Sequence, residues 1–159
     1  MIQVGANIPD VSITVIDKNG QQSISAKEFF ANKKAVLFAL PGAFTPTCSE
    51  AHLPGYVVKF DEFTNKGVDC VACLSVNDAF VMKAWQDQQN AENITMIADG
   101  GGALTQAMDL TLDTADFGGL RSQRYSMILD QGVVSQLNVE APSSFEVSDA
   151  ETALTQLGE

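Results

Sequence analysis

Positive charge is scarce in this sequence: 9 Lys and Arg stand against 20 Asp and Glu, for a formal net charge of −11. Binding to phosphate backbones needs clustered Lys and Arg, so the deficit argues against nucleic acid and anionic membranes as partners. Cysteine is sparse too. Three form an odd set, too few to staple a secreted domain, and they read as reduced thiols of a cytoplasmic protein. With His52 the only histidine, the Cys70-x-x-Cys73 pair lacks the further ligands a zinc site needs. No apolar run approaches the ~20 residues of a membrane span. Met1-Ile-Gln-Val-Gly-Ala6 lacks the basic-then-apolar order of a secretory leader. Low-complexity tracts and internal repeats are absent as well. The 45% hydrophobic content suits a packed core, and residues 1–159 read as one domain without a linker.

Periodicity then divides the chain. Val11 to Ile16 alternates apolar and polar residues, and Lys18-Asn19-Gly20 supplies a turn before Gln21 to Ile24, which predicts a hairpin. A short helix is expected over 26–31. Ala35 to Leu40, Val71 to Val76 and Ile94 to Ile97 are apolar runs suited to strands covered on both faces. A helical pattern starts at Pro46 with Leu53, Val57 and Phe60 inward, and Pro54 should kink or interrupt it. Asp78 is placed to cap a helix carrying Val81, Ala84 and Trp85 on one side. A short helix near Leu104 to Met108 follows Asp99-Gly-Gly-Gly102. Tyr125 to Leu129, a turn at 130–132, and Val133 to Val139 predict a second hairpin. Ser148-Asp-Ala-Glu151 fits a capping box for a last helix with Ala153, Leu154 and Leu157 inward. Helices alternating with core strands indicate an α/β fold, a central mixed sheet flanked by helices.

Cys48 is the candidate nucleophile. It follows a strand end in Pro41-Gly-Ala-Phe-Thr-Pro-Thr-Cys48, the side of an α/β sheet where sites form. Thr45 suits an N-cap and Pro46 the first helical position, so Cys48 falls in the first turn. Free N–H groups and the helix dipole there favour a thiolate, and the Thr45 hydroxyl turns toward it. Cys70 and Cys73 belong to an apolar strand. Residues three apart in a strand point to opposite faces, which argues against a disulfide between them. His52 lies four residues after Cys48, so a Cys/His hydrolase pair is an alternative, although Pro54 disturbs the helix. Arg124 opens the strand Tyr125 to Leu129. Its guanidinium faces Cys48 only if that strand lies beside the one ending at Leu40; otherwise it is a solvated charge, and Arg121 is the second candidate.

Pro41-x-x-x-Thr45-x-x-Cys48 matches the active-site pattern of peroxiredoxins. The longer string from Pro41 to Ser49, with His52-Leu-Pro-Gly-Tyr56, Val71 to Phe80, Trp85 and Arg124-Tyr-Ser-Met127, resembles the type-5 (plant type II) subfamily. It is most similar to the peroxiredoxin part of bacterial peroxiredoxin–glutaredoxin proteins, and the similarity covers nearly the whole chain. The resemblance implies a thioredoxin-like fold without metal or organic cofactor, and reduction of hydrogen peroxide and alkyl hydroperoxides. It assigns Cys48 as the peroxidatic thiolate that becomes a sulfenic acid. Thr45 would bond thiolate and peroxide, Arg124 would stabilise the thiolate and polarise the peroxide, and Pro41 would shield the site from water. Many animal members carry a resolving cysteine in the loop that here reads Ala141-Pro-Ser-Ser-Phe-Glu-Val-Ser148, with none. A one-cysteine cycle is therefore expected, with glutathione and glutaredoxin as reductant and thioredoxin as the alternative. A peroxide sensor or redox relay is the rival role. The resemblance also implies a homodimer, with Phe44, Phe80 and Phe117 as candidate apolar contacts.

Overall fold

The computed structural model describes residues 1–158. In chain order the elements are β1 (Ser12–Asp17), β2 (Gly20–Ser25), α1 (Ala26–Phe30), β3 (Lys34–Ala39), a π-helical turn (Cys48–His52), α2 (Leu53–Val58), α3 (Phe60–Asn65) and β4 (Cys70–Ser75). They continue as α4 (Ala79–Gln88), β5 (Thr95–Ala98), α5 (Ala103–Ala107), β6 (Thr111–Asp113), β7 (Leu120–Ser122), β8 (Tyr125–Asp130), β9 (Val133–Val139) and α6 (Ala150–Leu157). Seven strands form one mixed sheet in the order β2-β1-β5-β4-β3-β8-β9. The β3, β4 and β5 strands run parallel, and β4 is buried at every position because helices or loops cover both faces. The hairpins β1–β2 and β8–β9 form as the alternating runs predict. No helix among the described residues is long and apolar enough to cross a membrane.

The sheet separates two apolar layers. Phe38, Cys73, Met96 and Ile128 pack on one side with Leu53, Tyr56, Phe63, Trp85 and Leu154 from the helices. Leu37, Leu74, Ile97 and Met127 pack on the other with Phe30, Leu104 and Met108. Cys70 belongs to the second layer and Cys73 to the first, so the two thiols face opposite ways, as strand geometry requires. Burial pushes both thiols up, Cys73 the further, with Cys48 adding to its shift.

Three local expectations need correction. The segment after Pro46 is no single helix. Its N-terminal part is a π turn in which the Leu53 N–H reaches back five residues to the Cys48 carbonyl. Pro54 then has no N–H to give, and the wider turn accommodates that loss. A second break at Lys59 separates α2 from α3, and the deeply buried side chains are Leu53, Tyr56 and Phe63, with Val57 and Phe60 only half buried. In α4 the Asp78 cap forms, its carboxylate accepting from the Val81 N–H at 2.9 Å. Ala84 is exposed, however, and Met82 shares the inner face with Trp85. The cap of α6 is Asp149, which accepts from the Thr152 N–H; Ser148 is committed elsewhere.

Candidate active site

Cys48 opens the π turn directly beyond the C-terminal end of β3. The β3–β8 pairing decides what it meets. Ala39 is opposite Tyr125, so the residue before β8, Arg124, stands beside the loop that follows β3. Its Nη2 donates to the Cys48 sulfur at 3.2 Å. The adjacency that the sequence left open is therefore realised, and Arg124 is the arginine at the thiol. Arg121 is not: its Nε donates to the Gly118 carbonyl at 3.0 Å and Nη1 to the Val76 carbonyl at 3.4 Å, which ties the β6–β7 ribbon to the loop after β4.

The thiol itself has no exposed surface. Pro41, Thr47 and Arg124 around it line a pocket of about 240 Å³, walled further by Leu112, Gln123, Glu140 and the loop 141–145. Arg124 thus belongs to both the thiol and the pocket. Thr45 departs from expectation. Its hydroxyl donates to the Gly42 carbonyl at 2.6 Å and caps no helix N–H, while its carbonyl accepts from Ser49. A Cβ on Gly42 would sit 3.1 Å from the Thr45 methyl, so this turn is tight. Phe44 within it holds φ at 66°, a strained value for a residue with a side chain.

His52 is fully buried and takes no part in a Cys/His pair. Arg124 Nη1 donates to its Nδ1 at 2.9 Å, and a guanidinium has no lone pair to accept with. The proton is therefore on Nε2, which donates to the Ser148 carbonyl at 3.0 Å. Neither ring nitrogen is free to take a proton from Cys48. Burial, and then the adjacent Arg124 charge, lower the His52 pKa to about 3. The unfolded chain, with an ordinary histidine near 6.5, binds a proton that the native state refuses. Stability is therefore whole above that value and falls as pH drops, by up to ~1.4 kcal/mol per unit until about pH 3. Thermal melts between pH 7 and 4.5 should show this decline, and His52→Gln should flatten it. An equal slope in that variant would show that His52 is not its source.

Sequence reasoning missed the groups behind His52. The Ser148 carbonyl also accepts from the Tyr56 hydroxyl at 2.8 Å. The Ser148 hydroxyl and N–H donate to the Glu140 carboxylate at 2.7 and 2.8 Å, and the N–H groups of Glu146 and Val147 join them at 2.8–2.9 Å. Burial opposes ionisation of Glu140, but these donors outweigh it and hold the carboxyl below its ordinary range. A carboxylate following a strand carries no sequence signal for such a role.

A central mixed sheet flanked by helices, here with a thiol and an arginine at its strand ends, is the architecture of the thioredoxin-like class. The family model described as Redoxin matches residues 3–154, and the chain belongs to that family. It is 45% identical to Peroxiredoxin-2D of Arabidopsis thaliana over 159 residues, covering 98% of each chain. It is 41% identical to the hybrid peroxiredoxin hyPrx5 of Haemophilus influenzae, over 96% of this chain and 65% of that one. The crystal structure of reduced Prx3 from Vibrio vulnificus in complex with hydrogen peroxide has 60% identity and a TM-score of 0.95 over 99% of both chains. Thiol peroxidase activity is the function these relationships support.

Proposed function

We propose that Cys48 is the peroxidatic residue of a one-cysteine cycle that reduces hydrogen peroxide and small alkyl hydroperoxides. The observation that carries this reading is the 3.2 Å bond from Arg124 to the Cys48 sulfur at the edge of the pocket. The thiolate attacks one peroxide oxygen, the O–O bond breaks, and the alkoxide or hydroxide leaves with a proton as alcohol or water. Cys48 is left as the sulfenic acid. Arg124 offers donors to both the thiolate and the peroxide. Thr45, whose hydroxyl proton is given to Gly42, has lone pairs left to accept from the peroxide O–H. Pro41 forms one wall of the pocket and keeps water from the thiol.

Recycling falls to an external thiol, glutathione with glutaredoxin before thioredoxin. Cys70 lies on the far face of the sheet, and Cys73 is locked in β4, so a disulfide to either requires the core to open. Glutathione condenses with the sulfenic acid to release water, and a second thiol then displaces Cys48 as the leaving group. The 41% identity to a hybrid peroxiredoxin supports this choice. One equivalent of peroxide followed by glutathione should give a mixed disulfide on Cys48 by intact and peptide mass spectrometry. A dominant Cys48–Cys73 disulfide, two hydrogens lighter than the reduced chain, would overturn the one-cysteine cycle. We assign the protein to the cytoplasm and to a homodimer; Phe44, Phe80 and Phe117, 49%, 86% and 74% exposed, are the apolar surface that supports pairing.

A further inference from the structure

One chain of hydrogen bonds runs from the outer wall of the pocket to the thiol. Glu140 follows β9, the edge strand, and its carboxylate gathers the N–H groups of Glu146, Val147 and Ser148 together with the Ser148 hydroxyl. The Ser148 carbonyl is consequently aimed inward. It receives Nε2–H of His52 and the hydroxyl of Tyr56, which uses both of its lone pairs. His52 presents Nδ1 to Arg124, and the same guanidinium reaches Cys48 through its other terminal nitrogen. His52, Tyr56 and Ser148 are fully buried and Glu140 is 7% exposed. The inner bonds, from Ser148 to His52 and Tyr56, are buried, and the outer ones, at Glu140 and Arg124, are partly so. An orphaned donor in the buried part costs more than the movement that keeps it paired, so a shift at one end is passed along.

The backbone closes the same loop, because the Glu140 N–H donates to the Arg124 carbonyl at 2.9 Å. Phe145, in the segment that Glu140 folds back, holds its ring 5.0 Å from the His52 ring and 5.7 Å from the guanidinium carbon. Glu140 and the segment it folds back therefore border Arg124 on three sides: the backbone bond to its carbonyl, the Phe145 ring, and His52. We propose that Glu140 is a positioning residue for Arg124, acting through Ser148 and His52 to hold the guanidinium where it meets both Cys48 and a peroxide in the pocket. This inference rests on the assignment of Cys48 and Arg124 to the peroxidase reaction.

A second buried carboxylate separates positioning from simple bracing. Asp99 accepts from the N–H groups of Leu104 and Thr105 and from the Thr105 hydroxyl, and that helix packs on the opposite layer. Glu140→Gln keeps the size of the side chain but removes its charge and one acceptor. It should slow the single-turnover reaction with hydrogen peroxide by roughly tenfold, the scale of one misdirected donor. It should also move the pH profile of Cys48 alkylation by iodoacetamide to higher pH, since a displaced cation supports the thiolate less. Asp99→Asn should lower the melting temperature while leaving that profile in place. Ser148→Ala, a milder change that deletes only the hydroxyl bond, should move it in the same direction by less, and serves if Glu140→Gln does not fold. In a His52→Gln background the Glu140 effect should shrink, because the connection is already cut.

An unmoved alkylation profile in both Glu140→Gln and Ser148→Ala, or a shift of equal size in Asp99→Asn, would overturn the positioning role. An undiminished Glu140 effect without His52 would overturn the route. None of these outcomes touches the assignment of Cys48, which is decided separately by the activity of Cys48→Ser.

Discussion

Cys48→Ser should abolish peroxide turnover, a loss of roughly 10⁴-fold or more, the scale on which deleting a covalent nucleophile acts. Serine keeps the shape of the side chain and can still accept from Arg124. What it lacks is a readily formed anion and a polarisable atom to receive electrons from the O–O bond. The loss is therefore chemical and not structural, and melting temperature and far-ultraviolet circular dichroism should be close to those of the parent. Cys70→Ser and Cys73→Ser supply the contrast. Burial keeps both thiols protonated, and neither lines the pocket, so most of the activity should survive. Cys73→Ser sets a hydroxyl in the dry layer shared with Phe38 and Trp85, so its penalty should appear in stability. Steady-state peroxide consumption with excess thiol measures all three. Substantial turnover by Cys48→Ser would remove the basis of the peroxidase assignment to this residue.

Arg124→Gln is the second large effect. Attack by a thiolate on a peroxide moves negative charge from sulfur onto the departing oxygen. A guanidinium that faces both positions stabilises that charge at each stage. Losing such a donor in a preorganised site costs ~3 kcal/mol, or about 10²-fold in rate. Glutamine also removes a cation 3.2 Å from the sulfur, so alkylation of Cys48 should require higher pH. His52 loses its donor in the same substitution. Arg124→Lys tests whether charge alone is sufficient: one ammonium cannot bond Cys48 and His52 in the forked geometry of the native residue, and rescue should be partial. Stopped-flow measurement of the first turnover, with an alkylation series between pH 5 and 9, separates the two contributions. A first-turnover rate equal to that of the parent would remove Arg124 from the mechanism.

Much of this architecture follows from local pattern. Of the five central strands, β1 stands out by its alternation, and β3, β4, β5 and β8 as short apolar runs bounded by turn residues, too short for a buried helix. The β6–β7 ribbon was not foreseen. Each strand has only three residues, too few to show a period, and the two pair antiparallel with Leu112 opposite Arg121. The π turn was visible only as the disturbance expected of Pro54. The candidate site divides in the same way. Cys48, Thr45 and Pro41 lie within one short segment, where strand end, turn and helix start can be read together. Arg124 depended on strand order, which no local pattern sets. The Glu140–Ser148–His52 connection spans 96 residues between its last two members, and it arises from folding of the loop after β9 against the π turn.

Trp85, the chain's single tryptophan, donates from Nε1 to the hydroxyl of Ser49 at 3.0 Å, and Ser49 is the neighbour of Cys48 in the π turn. The Phe44 ring lies 6.4 Å from the indole, on the strained turn at the other side of the site. The molecule thus carries its own optical reporter. Ultraviolet excitation selects one indole, which is hydrogen-bonded to the turn that carries Cys48. A change at Cys48 that moves Ser49 therefore has a route to that signal without a dye or a label. Phe44→Ala and Ser49→Ala would show which side of the site each change in emission reports.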